Sequence, residues 1–273
     1  MTITIEKSPI PGRSTDPAHY QNVGRPIAAM AKDFPDGFVN PWHRHKRAQL
    51  LFATSGVMTV ETPDGTWLVP PHAAVWVPAR VMHQNRMAGT VRMRTLYIRD
   101  DVARSLPSVC TVFEVSPLLR ELILRAVVMP IEYDETGPDG RIMALVLDEM
   151  RALRPLPLHL RMPADPRLQR ACGAIVADPG GEHSLASLAG RAGASARTLL
   201  RLFRRETGQT FAAWRQQARL LEALTRLGAG QGVTAVALDL GYDSPSAFTA
   251  MFRRALGTTP SRYLQRHAGA SEP

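Results

Sequence analysis

Between about residues 38 and 98, Gly and Pro interrupt the apolar runs too often for helices to form. AQLLFAT (48–54), VMTVE (57–61), TWLVP (66–70), AVWV (74–77) and VRMRTLYI (91–98) are rich in β-branched and aromatic residues. Such side chains fit a pleated, half-buried surface, so each run predicts a strand. Asp64-Gly65 lies between two of them, and the pair predicts a hairpin because a type I′ turn needs positive φ at both central residues. Five or more strands so closely spaced predict a small antiparallel barrel or sandwich.

From Ser116 the period lengthens. SPLLRELILRAVVM opens with Ser-Pro, a good N-cap and first-turn pair, and continues with apolar residues at helical spacing. A second helix is predicted over 140–153, with Ile142, Leu145, Val146 and Met150 on one face. A barrel alone does not cover both apolar faces, which predicts that these helices pair between subunits of a homodimer. Prolines at 155, 157, 163 and 166 then exclude a helix. The expected organisation is a sensor and dimerisation domain over 20–153, a linker over 154–166 and an all-α domain over 167–267.

The last third repeats itself. Ser195-x3-Leu199-x2-Leu202-Phe203-Arg204-Arg205-x2-Gly208-x-Thr210 recurs 49 residues on as Ser244-x3-Phe248-x2-Met251-Phe252-Arg253-Arg254-x2-Gly257-x-Thr259. Upstream, Leu185-x2-Leu188-Ala189-x3-Gly193 recurs 48 residues on as Val233-x2-Val236-Ala237-x3-Gly241. Each copy reads as a short helix, a glycine turn and a longer helix capped by Ser195 or Ser244. The small Ala189 and Ala237 let the second helix cross closely. Such a unit is a helix-turn-helix, whose second helix enters the major groove of double-stranded DNA. Phe211, Trp214, Ala218, Leu221 and Leu224 mark a helix of ~17 residues between the copies, ~25 Å long at 1.5 Å per residue.

Charge sharpens this reading. The 273 residues carry 33 Lys plus Arg against 24 Asp plus Glu, a formal net charge of +9. Only Lys7, Lys32 and Lys46 are lysines; the rest are arginines, whose planar fork grips phosphate and reads guanine. Residues 165–273 hold 14 Arg against 8 acids. Seven of those arginines (197, 201, 204, 205, 215, 219 and 226) fall within Ser195–Arg226, opposed only by Glu206 and Glu222. The longest aliphatic run, Ile142 to Leu147, is too short to span a membrane. The start, MTITIEKSPIPGR, shows no secretory signal, and Cys110 and Cys172 form no metal or disulfide motif. A cytoplasmic protein is expected.

The segment ARTLLRLFRRETGQTFAAWRQQARL, with GYDSPSAFTAMFRRALGTTPSRY at 241–263, resembles the AraC/XylS family of bacterial transcription regulators. The resemblance covers about 167–266 and implies seven helices holding two helix-turn-helix units. The base-reading positions it implies are Ser195, Ala196, Arg197, Leu200 and Arg201 in the first recognition helix. In the second they are Pro245, Ser246, Ala247 and Ala250. Arg204 and Arg253 lie further along the two helices. Arg197 and Arg201, one turn apart, can each take a guanine in bidentate fashion, whereas Pro245 and Ala250 cannot hydrogen-bond a base. Unequal readout is expected, with sequence preference in the first unit and phosphate and thymine-methyl contacts in the second.

Gly37-x5-His43-x-His45-x3-Gln49-x6-Gly56 has the spacing of the first cupin motif, with Gln49 in place of the usual acid. Pro78-x4-His83 resembles part of the second, although Arg80 stands where glycine is usual. This implies a cupin-like barrel over about 25–100. Residues 43, 45 and 49 share strand parity, so on one strand they face the same way. His43, His45, Gln49 and His83 are candidate effector-binding residues, and His43, His45 and His83 are candidate ligands of a divalent transition metal. Trp42, Trp67 and Trp76 are candidates for lining an apolar cavity. The expected fold is thus α+β in two domains: an antiparallel β-barrel followed by helices, then an all-α domain with two helix-turn-helix units. The leading expectation is a DNA-binding regulator controlled by a small effector or metal. The alternatives are a metal-dependent cupin enzyme with an accessory DNA-binding domain, and an architectural DNA-binding protein.

Overall fold

The computed structural model describes residues 8–268; Lys7 and the rest of the MTITIEK start lie outside them. The described residues divide into two compact units, one of residues 8–62 and 67–158, the other of 63–66 and 159–268.

The first unit is antiparallel β, as its alternation predicts, and its strands form two sheets rather than a closed barrel. The strands are β1 (Ile27–Phe34), β2 (Val39–His43), β3 (Ala48–Ala53), β4 (Val57–Thr62), β5 (Gly65–Val69), β6 (Ala73–Val77), β7 (His83–Ala88), β8 (Val91–Ile98), β9 (Thr111–Glu114) and β10 (Arg154–Pro155). One sheet runs β1-β8-β3-β6-β9-β10, and the other contains β5-β4-β7-β2 in that order. The β4–β5 turn falls at Pro63-Asp64, one residue before the expected pair, and only Gly65 there has positive φ.

After the short α1 (Asp100–Ala103), helices α2 (Pro117–Val128) and α3 (Pro138–Arg151) follow. Ser116 caps α2, its hydroxyl accepting the Leu119 amide at 3.0 Å, and Pro117 opens the first turn. Period-2 alternation divides each strand of the first sheet between two jobs. Leu50, Phe52, Leu96 and Ile98 share a buried cluster with Leu119, Ile123 and Ala126 of α2 and Met143, Val146 and Met150 of α3. Gln49 and Tyr97, of opposite parity, line a cavity instead. The helical faces expected to await a partner subunit are therefore largely covered within the chain, leaving Leu118, Val128 and Leu145 exposed.

The proline-rich segment forms no helix, but its first part is not free. Arg154 and Pro155 pair with Glu114 and Phe113, and the Leu156 amide donates to the Val112 carbonyl at 2.8 Å. In the second unit, β11 (His159–Arg161) precedes seven helices: α4 (Pro166–Ala177), α5 (Leu185–Ala192), α6 (Ala196–Leu202), α7 (Phe211–Gly228), α8 (Val233–Asp239), α9 (Pro245–Leu256) and α10 (Pro260–Ala268). Trp214 of α7 is fully buried, and its indole N–H donates to the Arg161 carbonyl at 2.9 Å.

Candidate functional site

The internal repeat is a repeat of structure. Helix α5 ends at Gly193 with φ 63°, and the Ala194 amide donates back to Ala189; α8 ends at Gly241 with φ 70°, and the Tyr242 amide donates back to Ala237. Both turns require the left-handed backbone that glycine adopts without steric cost. Ser195 accepts the Thr198 amide and Ser244 accepts the Ala247 amide, each at 3.2 Å. The second helix of each unit buries its apolar stripe: Leu199, Leu202 and Phe203 in one, Phe248, Met251 and Phe252 in the other.

The outward faces differ. Arg197, Arg201 and Arg204 are exposed, with no hydrogen bond or ion pair among the described residues, and Leu200 beside them is 44% exposed. Ser195 is exposed at the cap and Ala196 is half-buried. On α9 the exposed positions are Ser246, Ala247, Ala250, Arg253 and Arg254, with Pro245 half-buried. After Leu202 the first helix widens into a π turn over Phe203–Thr207, where the Thr207 hydroxyl donates to the Phe203 carbonyl at 2.7 Å. The second copy stays α-helical through Leu256.

The seven clustered arginines do not act as one set. Arg205 pairs with Glu206, and Arg226 bridges Glu222 at 2.6 Å and Asp239 at 3.3 Å. Arg219 donates to the Pro179 carbonyl and lies over Tyr242; Arg215 reaches the His183 carbonyl and lies over Phe211. Four of the seven are partnered within the protein, and three of these, Arg215, Arg219 and Arg226, tie α7 to other elements. The side chains of the other three, Arg197 and Arg201 on α6 and Arg204 in the turn after it, are exposed.

In the first unit the three histidines converge, but not by shared strand parity. β2 breaks register between Asn40 and His43 and ends there, His45 follows in a loop, and Gln49 sits on β3 of the other sheet. His43 pairs with His83 across β2 and β7. Ring centroids are 4.3 Å apart for His43–His83, 4.9 Å for His43–His45 and 5.5 Å for His45–His83. Burial pushes all three pKa values down, to about 3 for His45 and about 4 for His83; neighbouring imidazoles add to the shift of His45 and His83, and Lys32 to that of His43. The rings are neutral at neutral pH.

Beside them opens a cavity of about 390 Å³, within the size range of small-molecule sites. Met30, Lys32 and Phe34 of β1 and Met93 and Tyr97 of β8 line one side; Asn40 and His43 of β2, Asn85 of β7 and Arg44 add polar groups. Gln49 is buried, and its amide N–H donates to the Thr95 hydroxyl at 3.0 Å. Gln49 Oε1, Asn85 Oδ1, His83 Nε2 and the Tyr97 hydroxyl are all buried without a hydrogen-bond partner. Burying a polar atom unpaired costs ~1–3 kcal/mol, and three of these atoms belong to residues that line the cavity, Gln49, Asn85 and Tyr97, which makes it the candidate ligand site. The tryptophans do not line it. Trp67 and Trp76 are buried with their indoles bonded to the Cys110 and Pro107 carbonyls, and Trp42 is exposed. Sequence reading missed Lys32 and Tyr97, whose alternation within β1 and β8 was the only signal.

The sequence matches the AraC-like ligand binding domain over residues 26–203 and a helix-turn-helix domain over 188–266. Among relatives, the HTH-type transcriptional regulator NimR of Escherichia coli (strain K12) is 35% identical over 231 residues, 85% of this chain and 84% of its own length. The regulatory protein SoxS of the same strain is 39% identical over 80 residues, 29% of this chain and 75% of its own. Among solved structures, unsaturated fatty acid bound ToxT from Vibrio cholerae is 12% identical with a TM-score of 0.39, covering 90% of this chain and 98% of its own. No helix among the described residues is long and apolar enough to cross a membrane.

Proposed function

The chain belongs to the AraC-type transcription regulators, which join a ligand-binding domain to a helix-turn-helix DNA-binding domain, and from that premise we propose how this member reads DNA and senses its effector. Operator sequence is read chiefly by the first recognition helix, through Arg197 and Arg201 with Leu200, Ser195 and Ala196 beside them. Arg204 grips phosphate. The second helix supports it through Ser246, Ala247, Ala250 and the edge of Pro245, with Arg253 on phosphate. The observation that carries this reading is the row of three exposed, unpaired arginines on α6 and its extension.

The effector is a small molecule bound in the cavity beside His43, His45, Gln49 and His83. The stretch 154–166 serves as the connection between sensor and reader. A homodimer through α2 and α3 would use the exposed Leu118, Val128 and Leu145; sedimentation checks it, and a monomer at micromolar concentration contradicts it. The relatives are transcription regulators, and we infer no catalytic role. From action on an operator we infer a cytoplasmic location.

Selection from a randomised DNA pool with the full-length protein, followed by mobility shifts at ~150 mM salt, tests the reading. Nonspecific binding weakens steeply with salt, so a retained shift that only the selected sequence competes away supports it. A shift that any DNA removes equally contradicts it.

A further inference from the structure

The tautomers of two histidines of the cluster are fixed by the backbone. His43 Nδ1 donates to the Pro41 carbonyl at 2.6 Å, and His83 Nδ1 donates to the Val81 carbonyl at 2.9 Å. A carbonyl only accepts, so each neutral ring carries its lone pair on Nε2. Such a bond, which sets the tautomer and aims the opposite nitrogen, is the usual support of a metal-binding imidazole. His83 is 1% exposed and its Nε2 has no partner, while His43 Nε2 has a long 3.5 Å contact with Asn40 Nδ2. One ligand nitrogen from each of His43, His45 and His83 lies within 4.8 Å of the other two. One hydrogen-bond donor cannot satisfy three convergent lone pairs, whereas imidazole sets suit zinc, nickel, copper and iron.

Charge then selects what binds beside the ion. The three rings are neutral, and Gln49 contributes an amide where a carboxylate would have cancelled charge, so a divalent ion keeps its full charge. The cavity walls add Lys32 and Arg44 against Asp16, a surplus of one positive charge. An anion is the occupant that this field favours.

We propose that His43, His45 and His83 hold a divalent transition-metal ion, and that the effector is a small carboxylate-type anion that completes the ion's coordination from the cavity. The second half rests on the effector-controlled reading above. Ion and anion then bind with positive coupling, each raising the affinity of the other by the same factor.

Untagged full-length protein, stripped with EDTA and dialysed, is titrated with Co²⁺ in the absence and presence of acetate, following the ligand-field absorption of the bound ion. The expected result is one Co²⁺ per chain, an affinity about tenfold higher with acetate, and loss of uptake in His83→Ala and His43→Ala. His43 is only half-buried, so its variant keeps the test valid if His83→Ala fails to fold. No uptake by the unaltered protein, or unchanged uptake in His43→Ala, overturns the metal site; uptake indifferent to acetate overturns the anion. Sequence-specific DNA binding is measured on the same preparations. Intact DNA binding without Co²⁺ uptake defeats this proposal alone, and uptake without specific DNA binding defeats the regulator reading alone.

Discussion

In the first helix-turn-helix unit Gly193 turns the chain, Ser195 caps the second helix and Gly208 ends the turn that follows; in the second unit Gly241, Ser244 and Gly257 do the same. The caps and glycine turns repeat, although the first copy widens into a π turn where the second stays α-helical, and the outward faces have diverged. The first two turns of α6 hold out Arg197 and Arg201, while the first two turns of α9 hold out serine and alanine; further along, exposed Arg204 has its counterpart in exposed Arg253. Duplication preserves what the fold needs, which is caps, turns and the apolar stripe. It leaves the exposed positions of the second helices free to change, because they lie outside the apolar stripe.

The largest expected effect comes from erasing that difference. Arg197→Ala combined with Arg201→Ala removes two candidate guanine contacts at ~1–3 kcal/mol each. Operator affinity should fall about a hundredfold or more in a mobility shift while the protein stays folded. The turn glycines give the next largest effect. A Cβ at Gly241 would sit 2.5 Å from the Gly180 carbonyl oxygen, whereas one at Gly193 meets nothing within 4 Å. Gly193→Ala should therefore cost only the left-handed strain, ~1–2 kcal/mol. Gly241→Ala should cost clearly more in denaturant unfolding, and equal losses would mean that the two turns are not packed as described.

Smaller effects separate binding from reading. Arg253→Ala should weaken binding to all sequences alike and lower the salt slope by about 1, the signature of one lost phosphate contact. Arg219 ties α7 to the Pro179 carbonyl, so Arg219→Ala should lower stability by ~1 kcal/mol without changing base preference. The smallest effect is expected from Ser246→Ala, about threefold or less in affinity.

The same division between scaffold and site explains what could be read in the sequence. The helical repeat was legible to the residue because its signals are local: a cap, a glycine and apolar residues at i, i+3 and i+4. β7 was not, because HQNRMA has no apolar alternation; three of its residues, His83, Gln84 and Asn85, are buried polar groups. β1 was missed because three of the eight residues in IAAMAKDF are alanine, a weak strand former. The histidine cluster was found by spacing for a reason that failed, since a register break and a strand end replace the assumed parity. Composition showed an arginine crowd but not its division into three free and four tied residues, which only packing decides.

The central claim is that one unit reads sequence and its twin mainly grips. Selection from a randomised DNA pool, run in parallel with Arg201→Ala and Ser246→Ala full-length proteins, tests it directly. Arg201→Ala should flatten the base preference at one or more positions of the first half of the site, while Ser246→Ala leaves the selected sequence unchanged. If both variants relaxed base preference to the same degree, the two recognition helices would be equal readers and the account of this protein would be wrong.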